Sequence, residues 1–208
     1  MIKALFFIFE PGTTWIRVAE ARRGLGIIFA TYLLPMLLLV AVAEGAGMVK
    51  WGKWQAGIGQ VKKFTVGEAV VYETLSTILM IVAIAVCAHL LKMLGETFHG
   101  RHDYRQSFTA IIYGLSPLFL VRLLDALPTV NPWLTWAIGI MLVVAVLYHG
   151  VPCVMLPDPP HALGLYFMSS IVVVAVTGAE RFATFWCISG YSQPLENFIA
   201  DTAAKLPF

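Results

Sequence analysis

Five stretches of this sequence are apolar for long enough to cross a lipid bilayer, and nothing else constrains the fold as tightly. They cover about residues 25–42, 69–91, 108–127, 133–155 and 162–180. A helix needs roughly 20 apolar residues to traverse the hydrocarbon. The composition agrees: 59% of the 208 residues are hydrophobic and 12% charged, against about 45–50% and about 25% in a soluble domain. The expectation is an all-α polytopic membrane bundle of five transmembrane helices, formed as a single body over residues 1–208. An interfacial arm over 1–23 precedes it and an interfacial tail over 186–208 follows. A formal charge of +2 is too small to point to nucleic acid.

The third stretch, A-I-I-Y-G-L-S-P-L-F-L-V-R-L-L-D-A-L-P, carries Arg122 and Asp125. Three residues apart on a helix, they share a face and are close enough to pair. A charge in mid-bilayer costs at least about 2.5–3.5 kcal/mol, so such groups face protein, water or each other. Glu73, one turn inside the second stretch, reads either as an interfacial carboxylate at a helix N-terminus or as a partner for Arg122. Ser116, beside Pro117, is expected to bond back to its own helix.

Around the spans the chain is amphipathic. Within Phe6 to Arg23, Thr13 or Thr14 can cap a short helix that runs through Arg23 and reads either as a partner-binding arm on the cytoplasmic surface or as a helix lying among the headgroups. Trp15 would anchor it, with Arg17, Arg22 and Arg23 turned to phosphates. Glu44 to Glu68, with W-G-K-W and V-K-K, reads as an interfacial loop containing a hairpin or half-helix, Trp51 and Trp54 lying in the headgroup belt. Glu180 and Arg181 would close the fifth span. Basic residues split seven against seven between the two faces, and the three arginines before the first span favour an inside N-terminus. Nothing in Met1 to Phe9 reads as a cleaved leader, since Glu10 and Pro11 end its apolar run.

Chemistry is sparse. Three cysteines, Cys87, Cys153 and Cys187, are odd in number and form no C-x-x-C. Glu96, His99 and Asp103 fall at helical spacing with His102 beside them, but Gly100 interrupts the helix a metal site would need, so a solvated connector is the reading and no metal is expected. His89 and His149 lie late in their spans, where one ligand without a second does not make a haem site, and no cofactor is expected. No H-E-x-x-H, P-loop or nucleophile elbow occurs, and no enzyme is indicated.

Three patches carry a family likeness: F-E-P-G-T-T-W at Phe9–Trp15, I-Y-G-L-S-P at Ile112–Pro117, and Y-H-G-V-P-C-V-M-L-P-D-P-P-H-A-L-G-L-Y at Tyr148–Tyr166. Their order and spacing resemble the YIP family, the Ypt/Rab-interacting membrane proteins, in its bacterial branch. The resemblance implies a five-helix bundle with a cytoplasmic N-terminus, here in a bacterial cytoplasmic membrane. In eukaryotic members it implies binding of prenylated Rab GTPases, but the long acidic N-terminal region of that branch has no counterpart here. The function expected is that of a membrane-embedded interaction protein, working in the bilayer through a membrane-protein partner or a second copy of itself. The alternative is a small transporter or channel component with Glu73, Arg122, Asp125 and His149 along a polar path.

Overall fold

The computed structural model describes residues 2–21, 23–55, 60–98, 103–188 and 193–205. Five helices within it are long and apolar enough to span a membrane: Leu25–Lys50, Val66–Thr97, Tyr104–Ala126, Pro132–Met155 and Pro159–Ile188. The chain is therefore an all-α integral membrane bundle, with one two-stranded hairpin, β1 (Lys53–Gln55) paired antiparallel to β2 (Gln60–Lys62), between the first and second spans. Two short helices, α1 (Ile2–Phe9) and α2 (Pro11–Ala21), precede the bundle, and a helix over Gln193–Ala203 follows it.

Local chemistry sets most of the boundaries. The second span opens on a capping box: the Glu68 N–H donates to Thr65 Oγ1 at 3.2 Å, and the Thr65 N–H donates to Glu68 Oε2 at 2.8 Å. Asn131 caps the fourth span by accepting from the Trp133 N–H at 2.9 Å, with Pro132 in the first helical position. Asp103 stands just ahead of the third span, its N–H donating to Gln106 Oε1 at 2.9 Å. The second span ends at Thr97 and a new helix begins at Tyr104, so Glu96 and Asp103 do not share one continuous helix. His99 and His102 lie outside the described residues.

Proline shapes the spans internally. Pro35 follows a π-helical turn over Phe29–Leu33, the wider winding that makes room for a ring in a helix. In the third span the chain turns at Leu115. Pro117 has no N–H to offer the Tyr113 carbonyl, and Ser116 Oγ takes that place, donating to it at 2.5 Å. The hydroxyls of Tyr32 and Ser116 also meet at 2.5 Å, which ties the first span to this break.

The N-terminal arm departs from expectation. The second of its helices starts at Pro11, so neither Thr13 nor Thr14 caps it. Trp15 is fully buried rather than anchored among headgroups, and Arg22 lies outside the described residues. Trp15 Nε1 donates to the Val146 carbonyl in the fourth span at 3.2 Å, and its ring lies against Gly150, where a side chain would collide with it. Phe7 packs edge-on against Trp15 at 4.8 Å and reaches Tyr113 at 5.3 Å. The indole gains more by filling a slot between helices, with its N–H satisfied, than by lying at the surface. Arg17 and Arg23 are exposed.

Three span ends also lie further along than the apolar runs indicate. The first helix continues to Lys50 rather than stopping near Val42, the second to Thr97 rather than Leu91, and the fifth to Ile188 rather than closing at Glu180 and Arg181. Three charged residues assigned to span ends thus lie inside helices. The C-terminal helix docks on the second span, with Ile199 buried and Ala203 against Gly67.

Replacing Trp15 with Ala should cost about 3–5 kcal/mol, the range for emptying a large aromatic site in a core. Thermal unfolding of the purified variant in detergent or bicelles checks this. An unchanged midpoint would mean that the arm lies on the surface.

Candidate functional site

At the end of the bundle opposite the N-terminus, all five spans contribute to one buried polar cluster. It contains four carboxylates (Glu44, Glu73, Asp125 and Glu180) and three cations (Lys53, Arg122 and Arg181), each no more than 9% exposed. The first span brings Glu44, the second Glu73 and Ser76, the third Arg122 and Asp125, the fourth Thr135, and the fifth Glu180 and Arg181. Lys53 enters from β1.

Close helix approach makes this possible. Gly47 lies directly against the backbone of Ala126, where any Cβ would clash. That contact draws the first span onto the end of the third and sets Glu44, one turn earlier, beside Arg122. Gly45 leaves room for the Glu73 side chain, whose Cγ would lie 3.4 Å from a Cβ at that position. Small residues at such crossings let helices in lipid approach closely.

The pairing runs between spans. Arg122 Nη1 donates to Glu180 Oε1 at 3.2 Å, Nη2 donates to Ser76 Oγ at 2.7 Å, and Nε faces Glu44 Oε2 at 3.5 Å. The other oxygen of Glu44 accepts from Lys53 Nζ. Arg181 Nη2 donates to Asp125 Oδ2, while its Nε and Nη2 also donate to the Pro132 carbonyl at 3.2 and 3.0 Å. Thr135 Oγ1 lies 2.6 Å from Asp125 Oδ1 as donor.

Arg122 and Asp125 therefore do not pair with each other. The third and fifth spans run in the same direction, so the order Arg122–Asp125 meets the order Glu180–Arg181 and two opposite-charge rungs form side by side. A cross-span rung satisfies each charge and joins two helices, which an i,i+3 pair within one helix does not. Glu73 is buried within the cluster, but its Oε1 has no hydrogen-bond partner among the described residues. Arg122 takes Glu44 and Glu180 as its carboxylates instead.

His149 is exposed and lies 14 residues beyond Thr135 on the fourth span, about 21 Å along a helix. It takes no part in the cluster. His89 is exposed as well. Glu44, Lys53, Glu180 and Arg181 do not stand out in the sequence, because each falls where a loop or span-end charge is expected. The available signal was the apolar sequence continuing past them: G-A-G-M-V after Glu44, and F-A-T-F-W-C-I after Arg181.

A cavity of about 490 Å³ opens at this end between the hairpin and the link over residues 128–131. Glu44, Lys53, Asp125 and Arg181 line it on the charged side, and Trp54, Trp133 and Phe185 on the aromatic side. Among the described residues, no group of three or more His, Cys, Asp or Glu side chains is placed to hold a metal ion.

A family model described as the Yip1 domain matches residues 5–180. Comparison with curated proteins and with solved structures gave no match.

Breaking one rung should be costly. Arg181→Ala leaves Asp125 buried without its cation and should lower stability in lipid by about 3–5 kcal/mol. The double change Arg181→Met with Asp125→Leu should recover most of that loss, because it removes both charges from the interior. Unfolding in bicelles reads both values. A single change as mild as a lipid-facing substitution would show that the rung holds nothing.

Proposed function

The chain belongs to the Yip1 domain family, and on that premise we propose that it is a non-enzymatic organising protein of the membrane, acting through bundle or end-face contacts with a protein partner. Members of the family are generally not enzymes. The observation that carries the reading is the self-paired polar cluster. Glu44, Asp125, Glu180, Arg122 and Arg181 are engaged in pairs that join the first, third and fifth spans, and Ser76 and Thr135 tie in the second and fourth, which supports a rigid body with most of its buried charge held in its own structure. On the spans beside the cluster, Met80, Ile84, Phe119, Val143 and Val173 form a buried apolar layer. This layer lies between the polar cluster and the N-terminal end of the bundle, as suits a scaffold better than a conduit.

The setting proposed is a bacterial cytoplasmic membrane with the N-terminus inside. Basic residues divide evenly between the two faces, and Arg17 and Arg23, close before the first span, support the inside N-terminus.

A transport reading has one specific observation in its favour. The Glu73 carboxylate has a buried oxygen with no hydrogen-bond partner among the described residues, in a cluster whose cavity reaches Asp125 and Arg181. Intramembrane carboxylates of this kind mark ion pathways in other proteins.

Cross-linking in native membranes followed by gentle purification separates the two readings. The organising role should yield a discrete protein companion in fixed ratio, with proteoliposomes of the purified chain no leakier than empty ones. Solute or ion flux that disappears in Glu73→Gln would replace this reading with the transport one.

A further inference from the structure

At the N-terminal end of the bundle lies a second cavity, of about 510 Å³, enclosed by α1, α2, the start of the third span and the end of the fourth. It falls in the size range of small-molecule sites, about 300–1,000 Å³. Its lining divides by chemistry. Arg17 and Arg23 are exposed and Arg105 is half-buried, with Asp103 the one carboxylate among the lining residues. The buried Phe7, Ile28 and Val154 make the deeper wall.

Position decides what such a pocket meets. Arg23 stands two residues before the first span, Arg105 is the second residue of the third, and Cys153 and Val154 lie in the last turn of the fourth. The cavity is therefore at the level where lipid phosphates give way to acyl chains, with cations on its outer part and hydrocarbon side chains within. A guanidinium presents a planar donor fork that fits phosphate oxygens, and basic pockets between spans are suited to anionic headgroups.

We propose that this cavity is a binding site for an anionic phospholipid, the phosphate held by Arg17, Arg23 and Arg105 and the upper part of an acyl chain against Phe7, Ile28 and Val154. A zwitterionic lipid offers the same phosphate, but its ammonium offsets the attraction. With Arg17 and Arg23 exposed on its outer part, the site favours net negative charge. A free phosphate ion would satisfy the arginines and leave the apolar wall uncovered. The buried Trp15 and Phe7 give the site a fixed inner side, because they lock the arm onto the third and fourth spans.

Cys153 lines the cavity and is half-buried, whereas Cys187 lies at the far end of the fifth span and serves as an internal reference. The full chain is reconstituted in nanodiscs of phosphatidylcholine alone or with phosphatidylglycerol, and the alkylation of each cysteine by a membrane-permeant maleimide is timed. Phosphatidylglycerol should slow Cys153 by about tenfold, the ratio that one or two guanidinium–phosphate contacts supply, and should leave Cys187 unchanged. Inorganic phosphate added to phosphatidylcholine discs should not slow it. The double variant Arg17→Gln, Arg23→Gln, which alters only exposed side chains, should lose the protection while unfolding at the same temperature in phosphatidylcholine. Equal rates in the two lipids, or protection that survives in the double variant, would overturn the proposal. Protection by inorganic phosphate alone would point to a free-anion site, and protection in phosphatidylcholine by an added acidic peptide to a protein occupant. Either result overturns the lipid assignment.

Discussion

A charge within a bilayer has no water to turn to, and this constraint organises one whole end of the molecule. Arg122 and Arg181 are each 5–7% exposed, and each finds a carboxylate on another helix. The Arg122 guanidinium reaches the first, second and fifth spans at once through Glu44, Ser76 and Glu180. Arg181 reaches the third through Asp125 and the start of the fourth through the Pro132 carbonyl. In lipid, apolar side chains do not drive helices together as they do in water, so polar contacts and close packing carry association. Removing either arginine exposes its carboxylate partners to the low-dielectric interior, which is why the arrangement favours one register of the five spans over its neighbours.

The opposite end is built on packing rather than charge. Trp15, Phe7, Tyr113 and Tyr32 form a chain of ring contacts from the N-terminal arm through the third span to the first. Gly150 and Gly114 provide the depth for this packing, the first for the Trp15 ring and the second for the Leu147 side chain. Ser116 repairs the backbone opening that Pro117 creates. The arm is thus part of the bundle and fixes the inner wall of the arginine-lined cavity, while Arg17 and Arg23 stay at the rim.

The class of the protein was readable because the apolar runs are long and the bilayer admits few solutions. The motifs at Phe9–Trp15, Ile112–Pro117 and Tyr148–Tyr166 carried the family. Arg122 and Asp125 stood out because each interrupts a clear apolar run. Their partners did not, because Glu44, Glu180 and Arg181 fall where a run of about 20 residues is already complete and a charge reads as a terminus. The helices in fact extend beyond the minimum length and turn those charges inward. The i,i+3 spacing of Arg122 and Asp125 pointed to a local pair, and only the arrangement of the third and fifth spans reveals the cross-span rungs. Trp15 was misplaced for a related reason: an amphipathic segment rich in arginine looks the same in sequence whether its tryptophan faces lipid headgroups or a slot beside Gly150.

The claim that charges pair between spans rather than along the third one is tested most directly by double-mutant cycles in lipid, combining Arg122→Ala first with Glu180→Gln and then with Asp125→Asn. Groups in direct contact couple by about 0.5–3 kcal/mol. The coupling of Arg122 to Glu180 should lie in that range and clearly exceed its coupling to Asp125. A larger coupling to Asp125 would contradict the account and restore the pair within a single helix.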